Sequence, residues 1–229
     1  MKKYVEIFFL SFIGCILAGC QMLPSAIFQN ETCSPPCWNG IIPGQTSLQE
    51  INAKLESISA VDAKSINTMF MLKPNDSVDF HFFPGVRETG GRIYSQDDVI
   101  QSITFWLIPN TLLLSESLQK WGQPDKYISI YYSKTEIPYL STYIIYTKKG
   151  IILFNGREMW PEDIPKFDDK YPIQVIYYVN PELITTLLIN GSLDALSNDD
   201  IEEGLRTWTG LGEIKYLKRD LWGMRQPIR

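Results

Sequence analysis

The chain has 229 residues, a formal net charge of −5 and a single histidine, His81. An acidic chain is a poor partner for nucleic acid, and one histidine leaves little scope for histidine-based acid–base or zinc chemistry. The length suits one large domain or two small ones, enough to bury a core.

The chain opens on a targeting segment. Met1-Lys2-Lys3 is a short positive region, and Ile7 to Leu17 is an apolar run of 11 residues. A bilayer core needs ~20 apolar residues, so this run fits the hydrophobic part of a secretory signal instead. Leu17-Ala18-Gly19-Cys20 then matches the bacterial lipobox at all four positions. Residues 1–19 read as a lipoprotein signal peptide, with Cys20 the lipidated N-terminus of the mature protein. The alternatives are an uncleaved membrane helix and an ordinary secretory signal with Cys20 incidental. Two acyl chains, at ~0.8 kcal/mol per buried CH₂, hold a protein on one leaflet without a spanning helix. Loss of Lys2, Lys3 and Glu6 with the signal takes the charge from −5 to −6.

Residues 20–32 show no hydrophobic period and read as a tether. Once Cys15 leaves and Cys20 carries lipid, Cys33 and Cys37 are the remaining thiols. In an oxidising compartment Cys33-Ser34-Pro35-Pro36-Cys37 reads as a local disulfide. Free thiols, or a copper or redox site with His81 as third ligand, are the alternatives.

A first module is expected over 33–108. Thr46 with Gln49, and Ser47 with Glu50, have capping-box spacing, and Ile51, Leu55 and Ile58 form one helical stripe. Strands follow, mixed at 61–72 and alternating at 78–83, with Val78, Phe80 and Phe82 on one face and Asp79, His81 and Phe83 on the other. Residues 90–94 lead into a turn at 95–98, and Val99 to Leu107 is the strongest strand.

The plan restarts in a second module over 109–180. Leu114, Leu118 and Trp121 repeat the stripe, and Gly122 with Pro124 ends that helix. Strands are expected at 127–133, 140–147, 151–155 and 173–179, with a polar loop over 156–171. A C-terminal helical extension over 181–229 carries a helix at 181–189 and a second one. Ser197, Asp199 and Asp200 start that second helix, and Ile201, Leu205 and Trp208 form its stripe. Glu213 to Leu217 is a candidate last strand. Hairpin-length links exclude crossovers, so the expected class is α+β: tandem helix-plus-antiparallel-sheet modules, with the helices packed on one sheet face.

Two stretches carry a family likeness. Cys37-Trp38-Asn39-Gly40-Ile41-Ile42-Pro43-Gly44-Gln45-Thr46, with Glu50 and Leu55, resembles the opening of uncharacterised bacterial lipoproteins with a CW-x-G-I-x-P-G-x-T start. Leu118-Gln119-Lys120-Trp121-Gly122-Gln123-Pro124-Asp125 resembles the helix end of small outer-membrane lipoproteins and of β-lactamase-inhibitor-protein-like repeats. The likeness implies tandem helix-plus-sheet modules. It implies no reaction, so no catalytic residue carries over.

Other constellations favour bland readings. Asp79 and His81 share a strand face but lack a nucleophile motif. Asn190-x-Ser192-x-Asp194 departs from a calcium loop at Ala195 and Ile201. The pairs Glu162-Asp163, Asp168-Asp169 and Glu202-Glu203 suit solvated turns better than glycosidase work. Trp160, Tyr131, Tyr132, Tyr177 and Tyr178 suit either core positions or a contact surface.

The sequence therefore predicts a lipid-anchored, extracytoplasmic protein of the cell membrane or outer membrane. It is read as a non-enzymatic binding or scaffold module with no cofactor, no metal and no catalytic residues. The expected partners are the membrane, through lipid on Cys20, and an envelope protein or glycan. A glycan- or cell-wall-acting hydrolase and a metal or redox carrier through Cys33 and Cys37 are the rival readings. Replacing Cys20 with Ser should leave a soluble or unprocessed form, seen as loss of the chain from the membrane fraction. A wild-type N-terminus found by mass spectrometry away from Cys20, or unmodified, rules the anchor out.

Overall fold

A computed structural model describes residues 33–70, 75–82, 89–190 and 196–219, which fall within the compact unit Glu31–Arg229. The signal peptide, Cys20, the tether, Phe83, Ser192, Asp194 and Ala195 lie outside the described residues.

Helix α1 (Ile51–Ser57) buries Ile51 and Leu55 and follows a single 3₁₀ turn at Leu48–Glu50. Its start is not the expected capping box. Thr46 Oγ1 accepts from the Ile42 N–H at 2.8 Å, and Ser47 Oγ donates to Glu50 at 3.1 Å. Ile58 is already extended and only half-buried, so the stripe ends one position early.

Strands β1 (Asn67–Phe70), β2 (Asn75–His81), β3 (Gly90–Gln96) and β4 (Val99–Trp106) form an antiparallel meander. Val78, Phe80 and Phe82 are buried while Asp79 and His81 are half-exposed, as period-2 alternation requires. The chain continues through β5 (Leu112–Leu113) to α2 (Leu114–Trp121). Strands β6 (Lys126–Tyr132), β7 (Tyr139–Tyr146) and β8 (Ile151–Glu158) make a second meander. Two short strands, β9 (Lys166–Phe167) and β10 (Pro172–Ile173), precede β11 (Val175–Val179). Helices α3 (Ile184–Asn190) and α4 (Asn198–Gly204) are followed by β12 (Arg206–Thr207), β13 (Gly212–Glu213) and β14 (Leu217–Arg219).

The strand order is β1-β2-β3-β4-β11-β8-β7-β6-β12, with β14 on β6 as the one parallel pairing among the described residues. This overturns the expected α+β class of tandem helix-plus-sheet modules. Among the described residues one large, mostly antiparallel ten-stranded sheet dominates, and the helices are short. The reason lies in β11, which pairs with β4 on one side and β8 on the other and so fuses the two meanders.

The helices also do not share one face. The ring of Trp121 on α2 meets Tyr146, whose hydroxyl donates to the Gly122 carbonyl at 3.2 Å. The neighbouring Ile145 points the other way, into a cluster with Tyr143, Ile152 and Tyr177 that Ile184 and Leu188 of α3 and Ile201 of α4 cover. The C-terminal stretch is not purely helical either. Helix α4 stops at Gly204, whose Cα presses on Ile128 so that an added Cβ would lie 3.0 Å from it. Residues 206–207 then pair with β6, so Leu205 and Trp208 leave the helical stripe.

The α1 end of the sheet is organised around Trp38, which is fully buried. Its ring stacks on Phe80 at 5.7 Å and meets Phe105 edge-on at 4.8 Å. Gly91, opposite Phe80 in the ladder, makes this possible. A Cβ there would come within 2.4 Å of the Phe80 ring and 2.6 Å of the Thr104 carbonyl. Replacing Trp38 with Ala should destabilise the fold by about 3–5 kcal/mol, the usual range for emptying a buried aromatic site. Urea denaturation of the mature chain measures it, and a loss under about 1 kcal/mol contradicts the central role of this ring.

Candidate functional site

Residues 159–171 fold back over the sheet as a roof. Hydrogen bonds fix the roof to separate parts of the fold. The Met159 N–H donates to the Pro138 carbonyl at 3.0 Å, Ser115 Oγ to the Asp169 carbonyl at 2.8 Å, and the Ile214 N–H to the Pro165 carbonyl at 2.9 Å. Its inner side chains are buried. Phe167 packs against Tyr127, Tyr171 and Trp208, and Met159 joins Tyr131 and Leu140.

Under the roof runs a polar row. Ser129, Thr142 and Asn155 are register partners across β6, β7 and β8, and all are buried. Ser129 Oγ donates to Thr142 Oγ1 at 3.0 Å. Neither polar atom of the Asn155 amide has a partner among the described residues. Gln174, next in the chain before β11, is engaged elsewhere. Its amide accepts from the Gly156 N–H and donates to the Gly156 carbonyl, both at 2.9 Å. Arg157 and the Tyr171 hydroxyl complete the row, and burial pushes the Tyr171 pKa up to about 12, with Thr142 and Arg157 pulling it back in part. That hydroxyl lies beside Thr142 without the geometry of a hydrogen bond.

The outer side of the roof carries exposed apolar side chains among charged ones. Of seven large apolar side chains exposed among the described residues, five lie at or beside the roof: Ile137, Trp160, Ile164, Leu211 and Tyr216. Trp160 is 51% exposed and Ile164 75%. Contacts bring their segments to the roof: the Met159 N–H bonds Pro138, the Ile214 N–H bonds Pro165, and Tyr216 meets Tyr131 at 5.6 Å.

The residues singled out in the sequence fare variously. Cys33 and Cys37 are joined, with Cα atoms 5.6 Å apart. Pro36 of that clasp abuts Gly150 at the start of β8. Asp79 pairs with Arg92, through Nε at 2.6 Å and Nη2 at 2.9 Å, and not with His81. Arg92 also lies over the exposed ring of Trp106 at 5.8 Å. Of the five aromatics, Tyr131, Tyr132, Tyr177 and Tyr178 are buried and only Trp160 is a surface residue. One member of each carboxylate pair is held in a structural contact. Asp163 accepts from the Trp160 N–H, Asp168 from the Lys170 N–H, and Glu203 from Arg219. Among the described residues no group of three or more His, Cys, Asp and Glu is placed to hold a metal ion, and no helix is long and apolar enough to cross a membrane. Sequence reading missed the polar row. Asn155-Gly156 reads as the end of a strand, whereas β8 runs through it to Glu158.

Comparison with protein-family models, with characterised proteins and with solved structures finds no match to this chain.

The disulfide makes its own prediction. A Cys33→Ser, Cys37→Ser double variant should fold with a loss of about 2 kcal/mol, because the loop it closes is short. Thiol titration of the unfolded, unreduced mature chain should find no free thiol at these positions, and two free thiols would refute the bond.

Proposed function

We propose that this is a lipid-anchored cell-envelope protein that acts by binding, not by catalysis, through the outer face of the roof. The observation that carries it is that Ile137, Trp160, Ile164, Leu211 and Tyr216 are exposed on segments that backbone and ring contacts bring to the roof. Contiguous apolar exposure on a folded domain marks an interaction site, and aromatic side chains are enriched at such sites.

Position supports the same reading. The tether read in the sequence reaches the fold at the Cys33–Cys37 clasp, which abuts Gly150. Trp160 follows the opposite end of β8. The length of that strand separates the two by about 26 Å, at ~3.3 Å per residue. The clasp and Trp160 thus lie at opposite ends of β8. The partner proposed is another envelope protein. Charged side chains Glu136, Glu158, Glu162, Lys134 and Lys215 interleave with the patch, which suits a partner with a mixed polar rim around an apolar centre.

A photo-crosslinking residue at position 164 in the envelope of the native cell should give an adduct of discrete mass. The same residue at position 56 on α1 should not. Trp160→Ala with Ile137→Asp should abolish the adduct while leaving thermal unfolding within a few degrees of wild type, since both side chains are exposed. Equal adducts from both positions would sink the proposal, and binding of the purified chain to isolated cell-wall glycan, lost in the same variant, would reassign the surface to a glycan.

A further inference from the structure

Three side chains under the roof bring hydrogen-bonding groups together that no described residue satisfies. Asn155 is 1% exposed, with Oδ1 and Nδ2 both unpartnered. Arg157 is two residues on, on the same face of β8, with Nε buried and unpartnered. Among the described residues no carboxylate pairs with it. Tyr171 brings a buried hydroxyl from the roof beside Thr142 and Arg157, with no partner at hydrogen-bond geometry among the described residues.

Each such group left unmet is costly, and a charged one more so. Three in one row call for a guest, either water or a ligand. The chemistry of the groups chooses between them. Arg157 as a whole is only half-buried, so the row reaches toward solvent at that end. A partly desolvated cation with no counter-charge is expensive, and water does not neutralise it. The phenol stays protonated at neutral pH and therefore donates. The row thus offers three kinds of donor, the Arg157 Nε–H, the Tyr171 O–H and the Asn155 Nδ2–H, with one positive charge. Guanidinium geometry matches a planar two-oxygen anion.

We propose that Arg157, Tyr171 and Asn155 form a binding site for a carboxylate group, with Arg157 at the mouth and Asn155 at the base. The carboxylate belongs either to a small organic acid or to the C-terminus of a peptide. Asn155 Oδ1 remains as an acceptor for an N–H or O–H next to that carboxylate. The site stands on its own residues and not on the contact surface proposed above.

Thermal unfolding of the soluble mature chain, starting after Cys20, tests it at constant ionic strength. Sodium acetate and N-acetylglycine should raise Tm saturably relative to sodium chloride. Arg157→Gln should remove that shift, and Asn155→Leu should reduce it at least several-fold without lowering the Tm in chloride. Should Arg157→Gln fail to fold, the Arg157 Nε–Hε resonance of the wild type replaces it and should move on acetate titration. A tetrapeptide with a free C-terminus, compared with its amide, separates the two sources. A shift with the free peptide alone assigns the site to peptide ends, and a shift with acetate but not the peptide assigns it to small acids. No anion-specific shift means the row holds water only and overturns the proposal. A shift with inorganic phosphate but not with carboxylates, or an equal shift in Arg157→Gln, overturns it as well.

Discussion

The residues Val175 to Val179 of β11 are buried one after another, so the strand fits only where both faces of a sheet are covered. A strand with one wet face alternates, whereas one without alternation must lie inside. β11 meets this by inserting between β4 and β8, the inner edges of two meanders. Everything else follows from covering both sides of that position. Phe105 and Tyr178 touch edge-on at 5.8 Å on one face, continuing the aromatic group around Trp38. Val175, Tyr177 and Val179 face the opposite way and are covered from the side of α3 and α4. The two-sided burial of one strand thus forces the helices apart onto two faces.

The clasp serves the same strand from its end. The Val179 N–H donates to the Gly150 carbonyl at 2.8 Å, and Gly150 adopts a left-handed φ of +59°. A Cβ on Gly150 would lie 2.2 Å from the Val179 carbonyl, so glycine is needed for the close approach. Pro36 packs against the same glycine, and the Asn180 side chain against Gly44. The disulfide therefore fixes a segment whose job is to close the open end of β8 and β11 and to deliver Trp38 to the core.

Much of the local structure was legible. The alternation of Val78, Phe80 and Phe82 placed β2 correctly, and Ser197 caps α4 as expected, with the Asp200 carboxylate, read only as a first-turn charge, accepting in return from the Ser197 N–H. The fold class was not legible from the helical stripes, because two similar stripes suggest two similar modules while strand partnership decides whether the sheets fuse. The clue lay elsewhere, in the unbroken apolar runs at 143–146, 151–154 and 175–179, which mark strands buried on both faces. The stripe Ile201, Leu205, Trp208 misled for a different reason. Trp208 instead donates from Nε1 to Gln123 at 2.7 Å and packs on Phe167, a long-range choice that periodicity does not encode. The polar row was unreadable for the same kind of reason. Ser129, Thr142 and Asn155 are unremarkable in sequence and become a row only through register.

That row breaks the consistency of its own surface. The same face of β8 carries Ile151 and Leu153 before Asn155 and Arg157, and the same face of β7 carries Leu140 and Ile144 around Thr142. Apolar side chains of similar volume at Asn155 and Thr142 would avoid the desolvation that the amide and hydroxyl undergo. Local departures from an otherwise consistent pattern tend to mark functional positions. The roof keeps this inner feature separate from the outer one. Its ties to Pro138, Ser115 and Ile214 run to separate parts of the fold, so Trp160 and Ile164 are positioned by backbone anchors and not by what fills the row beneath. Filling or emptying the row should therefore register as stability, while changes at Trp160 and Ile164 register as contact. The two surfaces of one loop can then be judged independently of each other.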